Sequence, residues 1–109
     1  MKMKKQIRID VELDENHLPE RVTWEADDSA GPKEASAILM SFWDKKEQQT
    51  LRVDLWNKEF TTDEMKTFFV QSLLTMNDTL ERATGDKETC EGIRKFGLEL
   101  GKRFGVMKG

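Results

Sequence analysis

A chain of 109 residues, 37% apolar and 36% charged, is long enough for one core and too short for two, and its patterned apolar runs exclude a disordered composition; it reads as a single domain over 1–109. Its net charge is −3, and the first sixty residues hold 10 basic against 13 acidic side chains, which leaves no positive field for nucleic acid. Cys90 is the single cysteine, so there is no internal disulfide and a reducing, cytoplasmic setting fits, and no window approaches the roughly eighteen apolar residues of a membrane span.

The opening MKMKKQIRIDVELD leads from basic residues into an alternating segment rather than a continuous apolar run, so it is not read as a signal peptide. From Ile7 to Leu13, apolar Ile7, Ile9, Val11 and Leu13 alternate with Arg8, Asp10 and Glu12, the period of a strand with one buried face. A polar loop over Asp14–Glu20, containing Asn16, His17 and Pro19, leads to a second alternating stretch at Val22, Trp24 and Ala26. Asp27–Lys33, with Ser29, Gly31 and Pro32, reads as a loop.

Ala35–Trp43 is apolar on both alternations, a pattern a buried helix also produces, but Thr50–Trp56 alternates cleanly, and the pair is read as a hairpin around Asp44-Lys45-Lys46-Glu47. A two-residue loop at Lys45-Lys46, or a four-residue loop of the same parity, sets Ile38 opposite Val53, Met40 opposite Leu51 and Phe42 opposite Gln49. Alternation then turns Ile38, Met40, Leu51, Val53 and Leu55 inward. It places Leu39, Trp43 and Trp56 on the outer face beside Arg52 and Asp54.

Thr61 and Glu64 spell the Thr-x-x-Glu capping box, with Phe60 placed to staple onto Met65. Met65, Phe68, Phe69, Leu73, Met76, Leu80 and Ala83 recur at three- and four-residue steps, a stripe wide enough to cover a sheet, and Gly85 ends the helix. Asp86 caps a second helix in which Cys90, Ile93, Phe96, Leu100 and Phe104 point roughly one way. Gly97, Gly101 and Gly105 draw a smooth ridge along it. Glycine costs about 1 kcal/mol against alanine inside a helix, so either the ridge admits close packing or the tail frays. Arg94, Lys95, Lys102, Arg103 and Lys108 stand against Glu99 alone in the last sixteen residues, a solvated helix end whose cations suit the helix dipole. Four strands followed by two helices predict an α+β domain with a four-stranded antiparallel sheet and both helices packed on one face. That order of elements resembles the architecture of SecB-type export chaperones, without any sequence motif of theirs.

Little of this carries chemistry. His17, the single histidine, lies in a polar loop and reads as an ordinary turn residue, and Cys90 reads as a small core residue rather than a nucleophile. Asp10, Glu12 and Asp14 share one side of a strand, but a strand spreads alternate side chains about 7 Å apart, whereas calcium needs oxygens converging from a tight turn. No Walker, dinucleotide or nucleophile-elbow pattern occurs. The expectation is a non-enzymatic protein without cofactor or metal. Its candidate protein-binding residues are Leu39, Trp43 and Trp56 on the outer sheet face and Gly97, Gly101 and Gly105 on the ridge, with self-association as one use of either.

Four segments carry a family resemblance: ELDENHLPE at Glu12–Glu20, LRVDLW at Leu51–Trp56, DEMKTFF at Asp63–Phe69 and ERATG at Glu81–Gly85. Together they resemble the GldC gliding-motility family of the Bacteroidetes group, from the first strand through the first helix. The resemblance implies a soluble accessory of the gliding machinery that binds a protein partner of the gliding or linked secretion apparatus, with no catalytic or cofactor residues. The alternative, drawn from the SecB-type order of elements, is a chaperone-like holdase for unfolded exported chains.

Overall fold

The strands and helices run in the order β1 Ile7–Leu13, β2 Pro19–Ala26, β3 Lys33–Ala35, β4 Ala37–Asp44, β5 Gln49–Trp56, α1 Thr62–Thr84 and α2 Lys87–Phe104, in a computed structural model that describes residues 3–107. Met1, Lys2 and Lys108, used above in reading the N-terminus and the basic tail, lie outside the described residues. The chain divides into two compact units, one ending at Phe60 and one beginning at Thr61.

The class is α+β with antiparallel strands, as predicted, but the single four-stranded sheet is not formed. β1, β2 and β3 make a three-stranded sheet, and β4 and β5 make a separate two-stranded one. The division falls at Ser36: Ala35 ends β3 opposite Val22 of β2, whereas Ala37 begins β4 opposite Trp56 of β5. What reads in the sequence as one apolar run therefore changes sheets. β3 has no alternation of its own and is held from outside, Lys33 Nζ lying 5.8 Å from the centre of the Trp24 ring and Glu34 within 4.0 Å of Arg21.

β1 and β2 pair along their length, with Arg8 opposite Glu25 and bonded to it at 3.3 Å, and Val22 fully buried. The loop between them is shorter than predicted, since Pro19 and Glu20 already belong to β2. Proline is tolerated there because the first residue of a strand can forgo a ladder donor.

β4 and β5 pair two residues out of the predicted register, with Ile38 opposite Leu55, Met40 opposite Val53 and Phe42 opposite Leu51. The cause is a four-residue turn, Lys45 to Gln48, set one position further along. Asp44 Oδ1 accepts the Glu47 N–H at 3.1 Å, Gln48 adopts a left-handed φ of 54°, and its Nε2 donates to the Lys45 carbonyl at 2.8 Å. Because the shift is even, every side chain keeps its predicted face.

α1 begins as the capping box requires: Thr61 Oγ1 accepts the Glu64 N–H at 3.0 Å and Glu64 Oε1 accepts the Thr61 N–H at 3.1 Å. It ends at Gly85, left-handed at φ 73°, and Asp86 caps α2 by accepting the Thr89 N–H at 3.1 Å. The two helices form an antiparallel hairpin. Its buried residues are Val70 and Asn77 of α1 with Cys90, Gly97 and Gly101 of α2. The predicted α1 stripe is covered only in part: Met65, Phe68 and Leu73 are half-buried, whereas Phe69, Met76 and Leu80 are exposed, as is Phe96 of α2.

The glycine ridge is divided among three uses. A side chain at Gly97 would begin 2.7 Å from Leu74 Cδ2, so this glycine lets α1 approach. Gly101 is covered by Met107, whose Sδ and Cγ fill the place of a side chain. Gly105, left-handed at φ 74°, ends the helix while its N–H reaches the Lys102 carbonyl and that of Val106 the Gly101 carbonyl, each at 3.0 Å.

These environments separate two glycine substitutions. Gly97→Leu forces α1 and α2 apart and is expected to cost about 1–3 kcal/mol. At Gly92 nothing lies within 4 Å of the place a methyl group would take, and Gly92→Ala is expected to add about 0.5–1 kcal/mol. Urea denaturation of both variants checks the opposite signs.

Candidate functional site

The two side chains best suited to acid–base or nucleophilic work are poorly placed for it. Cys90 is buried, and that burial, with Glu81 and Asp86 adding and Arg94 opposing, pushes its thiol pKa up, away from the reactive thiolate. His17 is exposed in the β1–β2 turn at a left-handed φ of 63°. Among the described residues no three His, Cys, Asp or Glu side chains group to hold a metal ion. No described helix is long and apolar enough to cross a membrane. Asp10 engages Arg8 at 3.5 Å, and Asp14 is turned into its own loop, so the strand carboxylates do not converge.

What the first unit does present is the β4–β5 ribbon. On the face predicted to be outer, the opposite pairs are Ala37 with Trp56, Leu39 with Asp54, Ser41 with Arg52 and Trp43 with Thr50. Trp43 and Trp56 therefore stand at opposite ends, about 20 Å apart at the rise of a strand. Leu39 lies between them and is half-buried. The three share a face without forming one cluster. The ground between the tryptophans is polar: Arg52 grips Asp54 through Nε at 3.1 Å and Nη2 at 2.8 Å, and Nη1 donates to Ser41 Oγ. That grip raises the Arg52 pKa and holds the Asp54 carboxyl below the usual range, in both cases chiefly through the shared hydrogen bonds. Trp43 is 62% exposed and Trp56 48%.

The opposite face, expected to turn inward, is also open. Phe42 is 51% exposed, and Leu51 and Val53 are exposed beside it, while Ile38, Met40 and Leu55 are half-buried. Sequence reasoning missed Phe42, Leu51 and Val53 as surface residues because alternation tells which side chains share a face and nothing about what covers it.

At the Trp56 end, a groove of about 410 Å³ opens between Leu18–Pro19 and the segment from Asp54 to Lys58. Asp14 ties the β1–β2 turn to Lys58 of the groove: its Oδ1 accepts the Asn16 and Leu18 N–H groups at 2.8 and 3.0 Å, and its Oδ2 accepts from Lys58 Nζ at 3.1 Å. The Leu18 hydrogen bond first, and then Lys58, hold the Asp14 carboxyl below its ordinary pKa. Two of the segments that carry the family resemblance, ELDENHLPE and LRVDLW, thus meet at one exposed indole. Of the ridge glycines, Gly97 and Gly101 are occupied by the chain's own side chains, and Gly105 is exposed at the helix end.

Compared with known protein families, residues 19–106 match one described as gliding motility-associated protein GldC-like. The match includes α2, beyond the range of the resemblance noted above, and takes in only Pro19 and Glu20 of the ELDENHLPE segment. No curated protein and no solved structure matches the chain.

The depressed Asp14 carboxyl sets a pH signature. A folded-state pKa below the unfolded value contributes stability that is present above the ordinary carboxylate range and lost as pH falls through the lowered value. Asp14→Ala is expected to unfold at lower urea than the native chain near neutrality, with the gap narrowing in acid. Denaturation series at several pH values check this, and a gap independent of pH would contradict it.

Proposed function

Because this chain belongs to the GldC-like family of gliding motility-associated proteins, we propose that it is a non-enzymatic, cytoplasmic accessory protein that binds another protein of the gliding apparatus or of secretion linked to it. The observation that carries this reading is the β4–β5 ribbon. Trp43 and Trp56 on one face and Phe42, Leu51 and Val53 on the other are held in fixed register with about half their surface in water. Fully burying one such side chain contributes about 1.5–3 kcal/mol, so a partner that covers two or three gains a useful fraction of a micromolar affinity. The Arg52–Asp54 pair between the tryptophans supplies a polar anchor that fixes the orientation of what docks there.

A chaperone-like holdase is the second reading, and the apolar exposure on both ribbon faces favours it as well, since unfolded chains bind to such surfaces with little selectivity. The four-stranded sheet behind the SecB-type comparison is absent, so that reading rests on exposure alone.

Affinity purification from the native cell separates the two. The accessory reading expects one or two motility proteins, with Trp43→Ser or Phe42→Ser weakening capture roughly 30-fold, the loss of one interface anchor. Many unrelated precursors would point to the holdase, and capture unchanged by both substitutions would remove the ribbon from the reading. Cells lacking the gene are expected to grow normally and to spread poorly over surfaces.

A further inference from the structure

The chain closes the end of α2 with a sulfur atom. Gly101 is buried although it has no side chain, because the Met107 Sδ and Cγ lie where that side chain would begin. The backbone holds the thioether there. The Gly101 carbonyl accepts the N–H of Gly105, that of Val106 at 3.0 Å and that of Met107 at 3.3 Å, so the chain beyond the left-handed Gly105 folds back onto the helix it has just left. Each of these residues belongs to the helical unit.

A thioether suits this position and its oxide does not. Methionine sulfur is soft and only weakly polar, so it packs on bare backbone without a hydrogen-bond partner. A sulfoxide oxygen is a strong acceptor, and covering it without a donor is unfavourable. The backbone donors of this turn are already engaged: the N–H groups of Gly105, Val106 and Met107 point to the Gly101 and Lys102 carbonyls, which are acceptors themselves. Met107 is half-buried, so an oxidant in solution reaches it. Cys90 is fully buried, and that burial pushes its thiol pKa up, which makes it the poorer target.

We propose that Met107 is a reversible oxidation site that controls the closure of the α2 C-terminus. The Sδ lone pair attacks one oxygen of hydrogen peroxide, the O–O bond breaks, and proton transfer leaves the sulfoxide and one water. Sulfur loses two electrons and the peroxide gains them. The sulfoxide then leaves Gly101 for water, the Val106 and Met107 hydrogen bonds open, and the last turn of α2 frays. A methionine sulfoxide reductase restores the thioether and with it the closed end. The device lies wholly within the helical unit and stands whether or not the β4–β5 ribbon binds a motility protein.

Amide hydrogen exchange of the full chain tests this, before peroxide treatment, after it, and after reduction of the oxidised chain by methionine sulfoxide reductase. The Val106 and Met107 amides are expected to exchange at least about fivefold faster in the Met107 sulfoxide, the loss of one hydrogen bond, and to recover on reduction. Met107→Leu fills the same place without sulfur. Both amides are expected to keep their protection in it with and without peroxide, although Met40, Met65, Met76 and Cys90 are still present. If leucine leaves the turn open from the start, native chains oxidised singly at Met107 or at the exposed Met76, separated by chromatography, decide: only the first is expected to lose protection. Unchanged protection in the Met107 sulfoxide, the same loss in oxidised Met107→Leu or in the Met76 sulfoxide, or native amides that exchange as fast as an unstructured chain would overturn the proposal.

Discussion

The helical unit depends on the approach of Leu74 to the place where Gly97 has no side chain. At that separation Asn77 Nδ2 reaches the Cys90 carbonyl at 2.9 Å, Arg94 spans to Asp78 and Glu81, and Lys66 lies 5.4 Å from the centre of the Phe104 ring. Asn77 is buried, and its Oδ1 has no hydrogen-bond partner among the described residues. A buried donor left unpaired costs about 1–3 kcal/mol, so its bond to the Cys90 carbonyl selects the alignment of the two helices. Sliding one helix by a turn would strand that donor. The buried amide thus disfavours every register but one, the use for which single buried asparagines are best known between helices.

The first unit is governed by a different constraint. Its ladders satisfy the backbone, but a two-stranded sheet has only two faces and no third strand with which to share them, and an isolated hairpin is marginal in water. β4 and β5 are therefore supported by what surrounds their ends. The Asn57 N–H extends the ladder to the Ser36 carbonyl at 2.9 Å, Lys58 ties the exit of β5 to Asp14 in the β1–β2 turn, and β2 lies beside β5. Along the ribbon itself, Phe42, Leu51 and Val53 stand exposed. Residues that stabilise the unit and residues that remain available to another molecule are thus segregated along the same two strands.

Much of this was legible in the residues. Alternation located β1 and the faces of β4 and β5, and the Thr61–Glu64 pair located the start of α1, because these signals depend on chain neighbours alone. β3 was not legible: Lys33-Glu34-Ala35 has no apolar rhythm, and it is a strand by pairing with Val22–Trp24 of β2. The two-residue shift at the β4–β5 turn came from Asp44 accepting the Glu47 N–H and from Gln48 entering a left-handed conformation, which a lysine-rich turn sequence does not announce. On α1, apolar periodicity marked Phe69 and Met76 as part of the packing row, whereas α2 approaches closest beside them, where Gly97 meets Leu74. Periodicity finds a face that must be covered. It does not say which of two adjacent rows the nearest neighbour takes. The candidate surface was legible in part for the same reason: Trp43 and Trp56 could be assigned to one face, but their separation depends on the register.

The ladders and the helix pair share a property that bears on how the molecule comes into being. β1 pairs with β2, β2 with β3, β4 with β5 and α1 with α2, always the next element in the chain. Closing short loops loses little chain entropy, and topologies dominated by such neighbours cross the folding barrier quickly. Nothing in the ladders of the first sixty residues waits for the helices. As the chain leaves the ribosome, the ribbon can set its register before α1 has been synthesised, and the apolar surface it then displays is present from the earliest folded stage of the protein's life.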